Sequence, residues 1–239
     1  MAGMCRVVTE FKKLNQIGEG SYGVVYRAKD LKTGQTVALK KLRMESEKDG
    51  MPITAMREIQ ILKQVNHPHV VKLLDVIVGF KPESVFLLFE YAEHDLAGIM
   101  GSMKKPFAES EVKRIVLQLL DALTHLHKNW IVHRDLKLSN LLYNNKGQIK
   151  LADFGLARSC GIPAQPMTPK VVTLWYRPPE LLLGTDAYDF SIDMWAMGCI
   201  LGELLNGDVL LPGNTEMEQL NMIFKLIGTP NEKIWPGYG

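Results

Sequence analysis

The sequence predicts an α+β protein of two lobes, in which a small β-rich lobe precedes a larger helical lobe. Short β-branched and aromatic runs, separated by turn residues, occupy about residues 11–90. After Tyr91 the apolar residues recur at the spacing of an amphipathic helix. The chain has 239 residues, of which 46% are hydrophobic and 23% are charged. This composition is typical of globular proteins, and the length allows two lobes that each bury a core.

The small-lobe elements are predicted in order from their residue types. The clearest strands are at 24–28, 36–40 and 85–90, where β-branched and aromatic residues are concentrated. A helix is predicted at 53–65, because this stretch follows Pro52 and ends before an Asn-His-Pro turn.

The large lobe is predicted to contain two clear helices separated by a loop-rich stretch at 130–179 with short strand-like pieces. The first helix, at 111–129, carries apolar residues near i, i+3, i+4, i+7 spacing, namely Val112, Ile115, Val116, Leu119, Leu120, Leu123 and Leu126. A strongly apolar helix starts at Asp193. The lobes are expected to join near 90–95, and a cleft between lobes is a common ligand site.

Charge and cysteine content exclude several classes of protein. The 28 basic and 26 acidic residues give a net charge of +2, which does not support a molecule-wide surface for nucleic acid. Three cysteines without C-x-x-C spacing indicate neither a disulfide framework nor a zinc site. The start has no apolar signal core, and no apolar run approaches the roughly 20 residues of a membrane helix. We therefore expect an intracellular protein, nuclear or cytoplasmic, without a membrane or nucleic-acid partner.

A glycine-rich segment, GEGSYGVV, occupies 18–25. On its own this G-x-G-x-x-G pattern is weak, since dinucleotide sites, hairpin phosphate loops and simple glycine turns all contain it. A dinucleotide site requires a helix that opens at the third glycine, and a Walker-type loop requires G-K-[ST], which is absent. Gly23 leads instead into a β-branched run, which favours a hairpin whose backbone amides approach phosphate oxygens.

Two charged residues of the small lobe become informative beside this hairpin. Lys40 lies at the end of the next strand, where its ammonium group could reach the α- and β-phosphates of a nucleotide. Glu58 lies on the only predicted helix of that lobe and could orient the lysine. Taken singly, each is more simply a solvated surface charge.

The strongest signal is H-R-D-L-K-L-S-N at 133–140 followed by D-F-G at 153–155. A single Asp or Asn is more often a turn or cap residue, but this set at this spacing is hard to attribute to chance. Asp135 could accept or align the proton of a substrate hydroxyl, and Asn140 and Asp153 carry the hard oxygen ligands that Mg²⁺ prefers. Lys137 could stabilise the charge of a transferring phosphoryl group.

These motifs resemble those of the eukaryotic protein kinases, and within them the cyclin-dependent kinase family. From Phe11 to the last residue, the family's segments occur in order: GEGSYGVV, VALKKLRM, PITAMRE, HRDLKLSNLL, ADFGLAR, VVTLWYRPPELLLG and SIDMWAMGC. Further stretches, such as GIPAQPMTPKVVTLWYR, are similar to the branch of that family known for a PISSLRE helix. The resemblance implies a bilobal kinase domain at 11–239 after an extension at 1–10, with lobes at about 11–90 and about 93–239.

The resemblance also implies an activity and its residues. It implies a cyclin-dependent, proline-directed Ser/Thr kinase that uses ATP and Mg²⁺ and binds a cyclin at the PITAMRE helix. The implied catalytic residues are Asp135, Lys137, Lys40 and Glu58, and the implied metal ligands are Asn140 and Asp153. The implied nucleotide-binding residues are Ile17, Gly18, Glu19, Gly20, Ser21, Tyr22, Gly23, Val24, Val25, Ala38, Lys40, Phe89, Glu90, Ala92, Asp95 and Leu142.

Regulation and peptide recognition are implied in the same way. Thr168 corresponds to the activating phosphothreonine, and Ser21 and Tyr22 correspond to inhibitory phosphorylation sites. The three arginines that would receive the phosphate of Thr168 are Arg57, Arg134 and Arg158. Val172 and Arg177 fall where the family forms a pocket for a proline, so the expected substrates contain Ser-Pro or Thr-Pro.

Two features depart from the family pattern. Pro178-Pro179-Glu180 replaces A-P-E, and the sequence stops at Gly239, where family members continue into further helices. Glu180 normally pairs with an arginine from that region, so we expect an unpaired carboxylate and an uncovered helical face that together destabilise the chain. The alternative function is therefore a truncated, catalytically weak kinase that acts as a cyclin-binding module. A dinucleotide-dependent oxidoreductase is rejected, because no strand-turn-helix surrounds the glycines.

Overall fold

A computed structural model describes residues 6–20, 23–43, 52–79, 84–160 and 171–237, which form the two predicted lobes. The small lobe contains β1 (Phe11–Gly20), β2 (Gly23–Asp30), β3 (Thr36–Leu42), α1 (Ile53–Gln64), β4 (Leu73–Val78) and β5 (Val85–Glu90). The large lobe contains β6 (His94–Asp95), α2 (Leu96–Ser102), α3 (Glu109–Lys128), β7 (Ile131–Val132), β8 (Leu141–Tyr143), β9 (Ile149–Leu151), β10 (Arg158–Ser159), α4 (Pro179–Leu182), α5 (Ser191–Asn206) and α6 (Glu216–Ile227). The prediction of an α+β chain with a β-rich lobe before a helical one is confirmed.

The small lobe is built on one antiparallel sheet with the strand order β1-β2-β3-β5-β4. The central strands β3 and β5 are mostly buried, which explains why their continuous apolar runs were readable from the sequence. The sequence prediction omitted β1 and β4. Most β1 side chains are exposed, including Leu14 and Ile17, so this strand lacks an apolar face that alternation could reveal.

The core of the large lobe lies between α3 and α5. The predicted stripe of α3 is buried at Val112, Ile115, Leu119, Leu123 and Leu126, while Val116 and Leu120 lie half-buried at its flank. Helix α5 is apolar on most sides and packs against α3, as expected for a helix within a core. It begins at Ser191, two residues before the predicted start. None of the helices in the described ranges has both the length and the apolar character required to cross a membrane.

The segment before β1 packs against the small lobe. Val8 is buried in the outer core of the sheet, and the amide of Val78 on β4 donates to the carbonyl of Arg6 at 3.3 Å. The Arg6 guanidinium donates to both carboxylate oxygens of Asp30, at 2.9 Å each, and to Glu10 at 2.9 Å. The hydrogen bonds from Arg6 hold the pKa of the buried Asp30 carboxyl well below its usual range. Residues 6–10 are therefore anchored to the sheet.

Candidate active site

A cleft of about 740 Å³ lies between the lobes, with β1, β2, β3 and α1 on one side and the loops around β7, β8 and β9 on the other. The predicted residues that line it are Ile17, Gly18, Glu19, Gly23, Val25, Ala38, Lys40, Glu58, Phe89, Glu90, Ala92, Asp95, Asp135, Lys137, Asn140, Leu142, Asp153 and Val172. Val24 is not among the lining residues, because neighbouring side chains of a strand point to opposite faces. Ser21 and Tyr22 lie outside the described residues.

The described part of the glycine-rich segment lies on two strands, β1 up to Gly20 and β2 from Gly23, and the second is the strand that the β-branched run predicted. Gly20 at the end of β1 pairs with Gly23 at the start of β2. Gly23 has a φ of 153°, and a β-carbon there would overlap the carbonyl oxygen of Lys41. Glycine is therefore required at this position. A helix does not open at the third glycine, so the geometry is not that of a dinucleotide fingerprint.

Lys40 and Glu58 form a buried ion pair at the back of the cleft. The Lys40 Nζ donates to the two carboxylate oxygens of Glu58 at 2.8 and 2.9 Å, and it lies 3.4 Å from Oδ1 of Asp153. Lys40 is 8% exposed and Glu58 is 2% exposed. Burial alone would lower the pKa of Lys40, but the two carboxylates outweigh it and raise that pKa above its ordinary value. The charged form of Lys40 is thus favoured at the cleft.

Asp135 is oriented by three side chains. Its Oδ2 accepts from Lys137 Nζ at 2.8 Å and from Asn140 Nδ2 at 3.1 Å, and its Oδ1 accepts from the Thr173 hydroxyl at 3.0 Å. Lys137 also reaches Thr173 Oγ1 at 3.3 Å. Thr173 was not predicted from the sequence, since a threonine after two valines has no signature of its own. The carboxylate is therefore fixed in direction but stays at the edge of the cleft.

Asp153 and Asn140 present oxygen atoms to the cleft beside Asp135. Asp153 lies in the left-handed region at φ 61° and ψ 75°, a conformation that non-glycine residues seldom adopt outside turns and functional sites. Burial would raise the pKa of Asp153, but the nearby Lys40 charge outweighs it and keeps that pKa below its usual value. Asn140 donates through Nδ2 to the carbonyl and carboxylate of Asp135, which leaves its Oδ1 as an acceptor. This donor set suits a hard divalent cation.

Asp193, at the start of α5, holds the loop that carries Asp135. It is 1% exposed, and it accepts from the backbone amides of His133 and Arg134 at 2.9 Å each. Arg134 has a φ of 68°, so the loop is bent into a strained conformation that these bonds stabilise. His127 Nε2 lies 3.0 Å from the same carboxylate. From the sequence, Asp193 was predicted only as the start of a helix. The available signal was an acidic residue at the beginning of a strongly apolar helix.

The three predicted phosphate-receiving arginines lie close to one another. Arg134 donates to the Leu156 carbonyl at 2.7 Å and to the Tyr188 hydroxyl at 2.8 Å. Burial lowers the pKa of Arg158, and the positive charges of Arg57 and Arg134 lower it further. Their guanidinium charges therefore repel one another, which makes this group suitable for an anion. Thr168 lies outside the described residues.

Val172 and Arg177 form a closed hydrogen-bonded turn at the end of the cleft. Val172 is buried at φ 66°, and its carbonyl accepts from Arg177 Nη2 at 3.0 Å and from Nε at 3.3 Å. Glu180 has no ion-pair partner within the described ranges, and burial raises the pKa of its carboxyl.

The part of the cleft beside β5 combines apolar walls with a polar edge. Val25, Ala38, Phe89 and Leu142 line the cleft there. The Glu90 carboxylate is occupied, because it accepts from the Lys72 amide at 2.8 Å and pairs with Lys150 at 2.9 Å. Asp95 caps α2 by accepting from the Gly98 amide at 2.8 Å. The backbone between these two acids is therefore held in place by their side chains.

Comparisons with known proteins agree with this geometry. The family model described as "Protein kinase domain" matches residues 11–237. Human "Cyclin-dependent kinase 10" is 59% identical over 99% of this chain and 66% of its own length. "Cyclin-dependent kinase G-2" of Oryza sativa subsp. indica is 58% identical over 98% of this chain and 33% of its own length. Human "Cyclin-dependent kinase 11A" is 54% identical over 98% of this chain and 30% of its own length. The chain thus spans between about a third and about two thirds of these relatives.

Proposed function

The chain belongs to the protein kinase domain family, and from that premise we propose that it transfers the γ-phosphoryl group of ATP to serine or threonine residues of proteins. One observation carries this proposal. Lys40, paired with Glu58, and Asp135, oriented by Lys137 and Thr173, border the same cleft from its two sides. The cleft thus combines a cation for phosphate oxygens with an oriented carboxylate for a hydroxyl group.

Different residues of the chain would contact the adenine ring, the phosphates and the Mg²⁺ ion of the substrate Mg²⁺-ATP. The adenine ring would lie between Ala38 and Leu142, and the phosphates would lie under the glycine hairpin and near Lys40. Asn140 and Asp153 would hold Mg²⁺, which supplies positive charge to the phosphate oxygens when it is bound. The described ranges contain no group of three or more His, Cys, Asp or Glu side chains arranged to hold a metal ion. Phosphate oxygens would therefore complete the coordination of Mg²⁺.

Asp135 and Lys137 would act at the substrate hydroxyl. The Asp135 carboxylate would align the hydroxyl and accept its proton, a contribution on the order of 10²–10⁴-fold for a positioned general base. Lys137, 2.8 Å from that carboxylate, would stabilise the charge of the phosphoryl group during in-line transfer. Positioning and electrostatics therefore account for the chemistry without a covalent intermediate on the chain.

The turn at Val172 supports a preference for proline after the target residue. Val172 lines the cleft, and its carbonyl already accepts from Arg177 twice. A peptide N–H facing this carbonyl would lose its bond to water without a replacement, whereas proline has no N–H to lose. The proposed substrates therefore contain Ser-Pro or Thr-Pro.

Helix α1, which carries PITAMRE, supports a cyclin partner. Its Ile53 is 65% exposed and its Met56 is 49% exposed, so the helix presents apolar side chains outward while Glu58 faces the cleft. The relatives reported above are named cyclin-dependent kinases. A cyclin on this surface would fix α1, and through it the Lys40–Glu58 pair. We place the protein inside the cell, in the nucleus or cytoplasm, with phosphorylation of Thr168 received by the three arginines.

A cyclin-binding module with weak catalysis is the second candidate. It is favoured by the half-buried Glu180 carboxylate, which has no ion-pair partner among the described residues. An unpaired carboxylate there would destabilise the large lobe without affecting the exposed face of α1. In that case the chain would bind a cyclin but would phosphorylate peptides slowly.

The deciding experiment compares the wild type, Asp135→Asn and the distant, exposed Asp208→Asn. Each is combined with a panel of cyclins, Mg²⁺, labelled ATP and a Ser-Pro peptide. We expect the first variant to lose on the order of 10²–10⁴-fold in turnover while the Mg²⁺-ATP shift in melting temperature and cyclin capture remain. The Asp208 variant should match the wild type. Equal turnover in all three proteins would refute the kinase proposal, and cyclin capture without wild-type turnover would support the binding module.

A further inference from the structure

Arg177 makes a third contact besides its two bonds to Val172. Its Nη1 donates to Oε1 of Glu216 at 2.8 Å, so one guanidinium joins the turn at the end of the cleft to the first turn of α6. The guanidinium is planar and its donors point in fixed directions. Fixing Nη1 against a carboxylate therefore fixes the directions of Nε and Nη2 as well.

Helix α6 is a rigid base for this contact. The side chain of Gln219 is fully buried; its Nε2 donates to the Trp175 carbonyl at 3.2 Å, and its Oε1 accepts from the Gly213 amide at 3.0 Å. The Trp175 indole donates to the Gly213 carbonyl at 3.1 Å. Thr215 caps the helix by accepting from the Glu218 amide. Glu216 thus extends from a helix that is bonded to the segment containing Arg177.

The Val172 conformation needs such support. Valine is β-branched, and the left-handed region is a genuine outlier for such residues. The strained turn persists only when its surroundings determine it. The Val172 side chain is packed in the core, and the bonds from Arg177 hold its carbonyl. If Arg177 moved away, the carbonyl would become an acceptor for a peptide N–H.

We infer that Glu216 is a positioning residue for substrate selection: it holds Arg177 on the Val172 carbonyl and thereby keeps that carbonyl from accepting the N–H of a residue other than proline. The inference rests on the proposed kinase function and deepens it. Glu216 is 58% exposed in its side chain, so its ion pair contributes little to stability and its effect is on selectivity.

Three peptides that differ only after the target serine test this inference: proline, alanine and N-methylalanine, which lacks the N–H as proline does. The wild type should use the proline and N-methylalanine peptides in preference to the alanine peptide. In Glu216→Ala the ratio of kcat/KM between N-methylalanine and alanine should fall about threefold to tenfold, as expected for one hydrogen bond. Glu216→Gln retains an acceptor oxygen without charge, so its kcat/KM ratio should lie between those of the wild type and Glu216→Ala.

Glu218→Ala is the matched control, because Glu218 lies in the same helical turn but bonds to Asn214 and not to Arg177. It should keep the wild-type ratio. A second measurement uses no cyclin: in NMR spectra, solvent exchange of the Arg177 Nε–H should accelerate in Glu216→Ala but not in Glu218→Ala. Equal ratios and equal exchange in both variants would overturn the inference while leaving the kinase proposal intact. A wild type that phosphorylates the peptides without preferring proline would instead refute proline selection itself.

Discussion

Replacing Asp193 with Asn tests whether α5 holds the loop that carries Asp135. In the wild type both carboxylate oxygens of Asp193 are acceptors, Oδ2 for the His133 amide and Oδ1 for the Arg134 amide. Asparagine has one acceptor oxygen and one NH₂ group. In either orientation of the amide, one backbone N–H of the loop faces another donor.

The expected loss of stability follows from these contacts. A charge-assisted hydrogen bond contributes about 1.5–3 kcal/mol, and a buried donor left without a partner costs about 1–3 kcal/mol. We expect Asp193→Asn to lower the free energy of unfolding by about 3–5 kcal/mol, which corresponds to about 6–20 °C in melting temperature for a chain of this size. Turnover should fall at least about tenfold, because small displacements of a positioned base are costly.

The measurements are urea unfolding followed by tryptophan fluorescence, and peptide phosphorylation under saturating ATP. Asp189→Asn is the control: its exposed side chain accepts from the Ser191 amide at 2.8 Å at the start of the same helix. Asparagine keeps an acceptor oxygen for this single amide, so the change should cost no more than about 1 kcal/mol and leave turnover unchanged. An Asp193→Asn protein as stable and as active as the control would show that the loop keeps its shape without α5.

Two further predictions concern Gly23 and Glu180. Gly23→Ala should weaken binding of a fluorescent ATP analogue at least about tenfold, because the added β-carbon overlaps the Lys41 carbonyl and the φ of Gly23 is unfavourable for alanine. Gly101→Ala is the control, since a β-carbon at Gly101 meets open space and should leave the affinity unchanged. Equal affinities in the two variants would contradict this prediction. Glu180→Gln should raise the melting temperature at pH 7 and not at pH 4. Burial raises the pKa of Glu180 in the folded state. The stability contributed by the protonated carboxyl is therefore complete below the unfolded-state pKa and is lost as the pH rises through the folded-state pKa. A melting temperature of Glu180→Gln below that of the wild type at pH 7 would contradict this.

The proposed catalytic and metal-binding residues were predictable from the sequence, because the chemistry they would perform restricts which amino acids can occupy these positions. Lys40, Asp135 and Asp153 are far apart in the chain, yet each lies in a short motif whose neighbours are also constrained, and the structure brings all three to one cleft. The strands at the sheet centre and the stripe of α3 were predictable for another reason, since continuous burial leaves an apolar pattern.

The supporting residues were not predictable in this way. Thr173 and Asp193 act through hydrogen bonds to a distant loop, and neither has a local pattern that reveals its partner. Strand β1 exposes most of its side chains, so its place in the sheet depends on backbone pairing with β2 and not on hydrophobicity. Val172 has a positive φ, and its carbonyl accepts from Arg177, five positions later. Tertiary contacts determine all of these features.

The anchored segment at 6–10 determines where an expression boundary can be drawn. The family match begins at Phe11, but a protein cut there would lose the Arg6 side chain and leave the Asp30 carboxylate with only the amides of Lys32 and Thr33. It would also expose the apolar side chains of the sheet that pack in one cluster with Val8. Samples prepared for crystallography or ligand screening should therefore start upstream of Arg6. Low stability of a version that starts at Phe11 would be due to the loss of these contacts.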